Sequence, residues 1–147
     1  MTSKDTIIGI GSDHAGFELK EHIKEVFGKE GYRFKDFGTH SAQSADYPDF
    51  AHALAQEVQE GLLQTGILVC GSGIGVSITA NKHPHVRCAL CWNREIARLS
   101  RQHNNANVLA LPGRFIEKQE AEAAVRMFFQ TGFEGGRHQR RIDKIDL

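Results

Sequence analysis

No charge of one sign dominates this chain: Lys plus Arg number 18, and so do Asp plus Glu. That balance excludes a global field that would gather nucleic acid or an anionic membrane surface. Only three cysteines are present, an odd number that cannot pair completely. With nothing that points to export, the chain reads as a protein of the reducing cytoplasm. No apolar run approaches the length that crosses a bilayer, and Met1-Thr2-Ser3-Lys4-Asp5 has no apolar signal core. Low-complexity tracts, internal repeats and linkers are also absent. What remains is ordinary globular composition, 40% hydrophobic and 24% charged, in 147 residues. That length suits a single domain, 1–147, able to bury a real core. None of these properties names an activity.

Short β-rich runs alternate with segments of helical period, the pattern of a parallel α/β sheet. The first run is Thr6 to Ile10, followed by a helix striped by Leu19, Ile23, Val26 and Phe27. After Gly31, Tyr32 to Phe37 alternates as a second strand. Pro48 suits the first turn of the next helix, which Leu54, Val58 and Leu62 stripe. Gly66 to Cys70 is continuously apolar, as a central strand covered on both faces requires. A glycine loop then opens a helix through Asn81. Val86 to Cys91 forms the fourth run, Asn93 can cap the following helix, and Asn107 to Leu111 forms the fifth run. Ala121, Ala124, Val125, Phe128 and Phe129 stripe the last long helix, and residues 132–147 form a polar, basic tail. These counts predict a doubly wound, three-layer α/β fold with a mainly parallel sheet of about five strands. Ligands of such sheets bind beyond the carboxyl ends of the strands, which points to Ser12-Asp13-His14, Cys70 to Gly75 and Pro112-Gly113-Arg114.

The loop Cys70-Gly71-Ser72-Gly73-Ile74-Gly75 joins a buried strand to a helix. Its backbone N–H groups can face a ligand, glycines allow close approach, and a helix start favours negative charge. It is neither a Walker A loop nor a dinucleotide fingerprint. The plain alternative is a tight turn without a ligand. Cys70 at that junction is either a thiolate base or an inert core cysteine; position leaves both open. Cys88 and Cys91 lie on opposite faces of one strand by their odd separation, and zinc would need a second ligand pair beyond His83 and His85. They read as structural. Asp13 and His14 follow the first strand, where they either face the site or cap the helix. His103-Asn104-Asn105 precedes the fifth strand, at the end of the sheet away from Cys70. A lone histidine there is commonly a surface or capping group. If His103 is catalytic, its Cys70 must come from another subunit. Arg137 and Arg141, one helical turn apart, can converge on one phosphate, or form part of a solvated tail.

Taken as an ordered set, these residues resemble the type B ribose-5-phosphate isomerases, within the family that includes galactose-6-phosphate isomerase subunits. The resemblance runs over nearly the whole chain. It rests on Gly11-Ser12-Asp13-His14-Ala15-Gly16, Asp46-Tyr47-Pro48, Cys70 to Gly75, His103-Asn104-Asn105-Ala106-Asn107 and Gly135-Gly136-Arg137. It implies a Rossmann-like homodimer, or a dimer of dimers, with sites at the subunit interface, and a metal-independent, cofactor-free step of the pentose phosphate pathway. By the resemblance, Cys70 moves the proton between C2 and C1 of the sugar, and His103 opens the furanose ring from the second subunit. Asp13 and His14 contact the sugar or its phosphate; Gly71, Ser72, Gly73, Ile74 and Gly75 hold the enediolate oxygen. Arg114, Arg137 and Arg141 bind phosphate, and Asn104 a hydroxyl, so that the tail 132–147 serves a neighbouring subunit's site. Ser72 is often Thr in the family, and keeps the hydroxyl proposed as a proton relay. Other members lack the cysteine and carry a carboxylate later in the loop, where this chain has Gly75 and Val76.

The rivals are a six-carbon sugar phosphate as substrate, a flavodoxin-like nucleotide-binding module without catalysis, and, more remotely, a dithiol oxidoreductase built on Cys88 and Cys91. The partners expected are a small phosphorylated sugar and a second copy of the chain, with no nucleic acid and no membrane.

Overall fold

The computed structural model describes all 147 residues. Five strands and six helices follow in the order β1 (Ile7–Ser12), α1 (Phe17–Lys29), β2 (Arg33–Asp36), α2 (Tyr47–Gln59), β3 (Gly66–Cys70), α3 (Ile74–Ala80), β4 (Cys88–Leu90), α4 (Arg94–Asn104), β5 (Val108–Pro112), α5 (Lys118–Gln130) and α6 (Arg137–Ile142). Every strand pair is parallel and the spatial order is β2-β1-β3-β5-β4. The order reverses between β1 and β3, and there the crevice of a doubly wound sheet opens.

Strand alternation sorts the interior into two cores. On one face Ile8, Ile10, Ile67, Val69, Leu109 and Leu111 meet Leu19, Ile23 and Phe27 of α1, Ala97 of α4, and Ala124, Val125 and Phe128 of α5. On the other, Leu68, Cys70, Val108 and Ala110 meet Ala51, Leu54 and Val58 of α2 and Val76 and Ala80 of α3. β3 is buried throughout, as its uninterrupted apolar run requires. Glycines in the strands let α2 settle onto the sheet. A Cβ on Gly66 would lie 2.6 Å from Leu54 Cδ2, and one on Gly9 2.8 Å from Leu63 Cδ1.

Two strands are shorter than the sequence predicts. Tyr32 leaves β2 to pack its ring against Phe129, with centroids 4.7 Å apart. At the other edge only Cys88 to Leu90 pair with β5. Asn81 occupies the ends of that edge instead, accepting the Cys88 N–H at 2.8 Å and donating to the Cys88 carbonyl at 2.9 Å. Asn93 caps α4, its Oδ1 accepting the Ile96 N–H at 2.9 Å. The tail is also more ordered than its composition suggests. It includes α6, which buries His138. No helix is long and apolar enough to cross a membrane.

Candidate active site

Three loops meet beyond the carboxyl ends of β1, β3 and β5, and backbone hydrogen bonds lace them together. Asp13 N–H donates to the Val69 carbonyl at 3.3 Å, Gly113 N–H to Cys70 at 2.8 Å, and Arg114 N–H to Gly71 at 3.0 Å. Two glycines permit this. A Cβ on Gly16 would fall 2.5 Å from the Val69 carbonyl oxygen. Gly73 holds φ at 75°, where an L side chain is strained, and its Cβ would strike Leu90 at 2.5 Å.

The loops frame an open cleft of about 540 Å³ lined by Asp13, Cys70, Gly71, Ser72, Ile74, Gly75 and Arg114, together with Tyr47, Ile78 and Phe115. This volume lies in the range of small-molecule sites. Asp13 is 7% exposed and Cys70 4%, so both lie at the floor of the cleft. The Asp13 carboxylate accepts the Gly16 N–H at 3.1 Å, turning the chain into α1. Ser72 Oγ accepts the Ile74 N–H at 3.2 Å, which leaves its own O–H as a donor toward the cleft. Ile74 begins α3, so Cys70 stands four residues before that helix. Arg114 lies across Gly71, with Cδ and Nη1 each 3.4 Å from where a Cβ would be. His14 follows Asp13 but is not among the residues that line the cleft. Its Nδ1 lies 3.1 Å from the Ala45 nitrogen and 3.3 Å from the Ala45 carbonyl oxygen.

The remaining sequence candidates gather elsewhere. His103 and Asn104 end α4, just before β5 begins. The paired register of Cys70 with Pro112 and Gly66 with Val108 puts Cys70 at the opposite, carboxyl end of the strands, roughly 13 Å away along the strands alone. His103, Asn104 and Arg141 line a second cavity of about 420 Å³ with His138, Ile142 and Ile145. Arg137 is exposed at the first turn of α6, one turn from Arg141. The His103 and His138 rings stack with centroids 4.4 Å apart and 12° between planes. Burial first, and then the charge of Arg137, lower His138 below the usual imidazole range.

The sequence offers no plausible metal cluster, yet beside this second cavity the fold brings together three groups that could ligate an ion: His103, Glu134 and His138. Glu134 gives no sequence signal, because only the folded loop before α6 sets it beside the two rings. Tyr47 and Phe115 are likewise lining residues that the sequence analysis leaves without a role, although Tyr47 stands in the quoted Asp46-Tyr47-Pro48 motif.

Cys88 and Cys91 belong to opposite cores, Cys88 packing against one and Cys91 buried in the other. Burial pushes each thiol up to about 12. Neither pairs with the other or with Cys70, and neutral thiols on two faces of a sheet make no dithiol centre.

The fold and its lined cleft define a ligand-binding domain of the doubly wound α/β class, with polar groups converging at the switch point. The chain belongs to the Ribose/Galactose Isomerase family, whose model matches residues 8–145. It is 41% identical over 138 residues to ribose-5-phosphate isomerase B of Escherichia coli, spanning 94% of this chain and 93% of that protein. The structure of a ribose 5-phosphate isomerase from Thermotoga maritima superposes with a TM-score of 0.94 at 48% identity, covering 97% of this chain and 98% of that one. Ribose-5-phosphate isomerase B from Mycoplasma genitalium, solved with bound ribulose-5-phosphate, superposes with a TM-score of 0.92 at 44% identity, over 96% and 94% of the two chains.

Proposed function

We propose that this protein interconverts D-ribose 5-phosphate and D-ribulose 5-phosphate in the cytoplasm, working as a homodimer whose sites are shared between subunits. The observation that carries the reading is the division of the candidate residues. Asp13, Cys70 and the glycine loop meet at the carboxyl ends of the strands, whereas His103, Asn104 and Arg141 line a cavity toward their amino ends. Each group is half of an isomerase site, and a two-fold dimer can set the halves of different subunits face to face. Exposed Ile74, Ile78 and Phe115 around the cleft offer the apolar surface that such a contact would cover. Three unpaired thiols support the cytoplasmic assignment.

In the reaction, His103 removes the anomeric hydroxyl proton and returns one to the ring oxygen as the C1–O4 bond breaks. Cys70, as thiolate, takes the proton from C2, and the electron pair becomes the C1–C2 double bond of an enediolate. Backbone N–H groups of residues 71–75 stabilise the developing oxyanion; one such donor is typically worth about a hundredfold or more in rate. Ser72 relays the proton between the two oxygens, and the Cys70 thiol then delivers its proton to C1. Arg137 and Arg141 hold the phosphate with Arg114, and that distal binding energy aligns the reacting carbons. Asp13 and His14 contact the sugar chain, and Asn104 a hydroxyl. No step calls on a metal or cofactor.

The test is an isomerase assay with ribose 5-phosphate against allose 6-phosphate, with and without a chelator. Turnover of the pentose phosphate that survives chelation is expected. Preference for the hexose phosphate, or loss of turnover on chelation, overturns the assignment.

A further inference from the structure

We infer that His103, Glu134 and His138 form a binding site for a transition-metal ion of the Zn2+ kind, and that filling it switches the isomerase off. The second part rests on the proposed role of His103 in ring opening. Three elements build the cluster. The last turn of α4 carries His103, the loop before α6 carries Glu134, and α6 carries His138. The loop is tied to α4 by the Glu134 N–H, which donates to the Gln102 carbonyl at 3.1 Å. Glu134 Oε1 lies 3.7 Å from His103 Nε2 and 3.5 Å from His138 Nε2. All three ligand atoms fall within 4.8 Å of one another. Ligand atoms on a tetrahedral zinc sit roughly 3.4 Å apart, so both contacts to the carboxylate are already near that spacing. The stacked rings need one adjustment, a swing of His103, whose side chain is 40% exposed.

An independent observation points to a ligand. His138 Nε2 is buried and has no hydrogen-bond partner, in a side chain only 8% exposed. Buried polar atoms are almost always satisfied, and an imidazole nitrogen held there without a partner, beside a carboxylate and a second imidazole, is a group that a metal ion would satisfy. Two imidazoles and one carboxylate select zinc, cobalt, nickel or copper over magnesium and calcium. Half-exposed Glu134 leaves the fourth position open to water. Arg141 lines the same cavity and Arg137 lies one turn away; their charge opposes a cation, making the site reversible rather than structural. An ion on His103 takes the lone pair that ring opening requires, so metal and sugar phosphate exclude each other.

The experiment uses the full-length, metal-free protein carrying His83→Gln, because His52 and His83 form a surface imidazole pair 2.7 Å apart that could bind metal on its own. Co2+ is titrated while visible absorption is followed, and Zn2+ by calorimetry. One ion per chain is expected, with affinity falling at least about tenfold in Glu134→Gln and in His138→Gln. Zn2+ should raise the melting temperature of the parent and not of either variant, which also shows that the variants fold. Unchanged affinity in both variants overturns the site. Isomerase activity is measured first without metal, so absence of activity counts against the proposed function alone. Zn2+ is then expected to inhibit competitively with sugar phosphate and EDTA to reverse it. Binding without inhibition overturns the switch and removes His103 from the reaction.

Discussion

The ring of Tyr47 lies directly over Gly75: a Cβ built on that glycine would sit 2.6 Å from Tyr47 Cζ. Tyr47 opens α2 and Gly75 lies in the first turn of α3, so the contact closes one wall of the cleft above Cys70. A side chain at position 75 must displace the ring. In this chain, therefore, a base placed at position 75 instead of Cys70 requires the Tyr47 ring to move.

Gly75→Ala tests that wall. The new methyl overpacks against an aromatic ring and costs about 1–3 kcal/mol if the ring is held. The half-exposed ring can instead swing outward, opening the cleft with little loss of stability. A thermal melt combined with steady-state kinetics separates these. Reduced kcat/KM with a nearly unchanged melting temperature shows that Tyr47 moves; unchanged values of both sink the claim that it walls the site.

Cys70→Ala removes the only candidate base in the glycine loop. General-base contributions of about 10²–10⁴ in rate set the scale of the expected loss in kcat, with substrate binding preserved by the proposed arginine contacts. Removing a buried sulfur leaves only a small void, so the fold should persist. Near-normal turnover would mean that another group abstracts the proton.

Much of this architecture is readable in the sequence because burial writes itself into continuous patterns. The apolar run from Gly66 to Cys70 becomes a strand buried on both faces, and the stripe through Ala121, Val125 and Phe129 becomes the inner face of α5. β4 is misjudged at its ends because an edge strand stops where side chains, here those of Asn81 and Asn107, take over its polar groups. α6 gives little periodic signal since its six residues bury only His138. The glycine loop and Cys70 announce the cleft, whereas Tyr47 and Glu134 acquire their places only when α2 packs on α3 and the last loop folds against α4.

Lys20 is fully buried and places Nζ 2.8 and 2.7 Å from the two Asp36 oxygens and 2.6 Å from the Thr39 carbonyl. Burial works against the Asp36 charge, but hydrogen bonds from Lys20, Lys24 and the Gly38 N–H outweigh it and hold the carboxyl below its usual range. A carboxyl depressed on folding contributes stability that is complete above its unfolded value, near 3.8, and lost as pH falls through the lower folded value. Melting temperature should therefore drop with acidification below about pH 4. Asp36→Asn, which leaves the buried Lys20 with only the half-exposed Glu21 carboxylate, at 3.4 Å, as a counter-charge, should cost about 3–5 kcal/mol at neutral pH and flatten that acid limb. The same slope in wild type and Asp36→Asn would show that other carboxylates set it.

The proposed division of the site between subunits makes a quantitative prediction. Cys70→Ala and His103→Ala proteins are each expected to be inactive, because every site in either homodimer lacks one group. After subunit exchange, half of the dimers are mixed. In a mixed dimer one site combines both lesions, while the other pairs an intact Cys70 with an intact His103. An equimolar mixture should therefore recover about one quarter of wild-type activity, rising over the time of exchange, which differently tagged subunits would follow. If each chain instead held a complete site, mixing would restore nothing however fast the subunits exchanged.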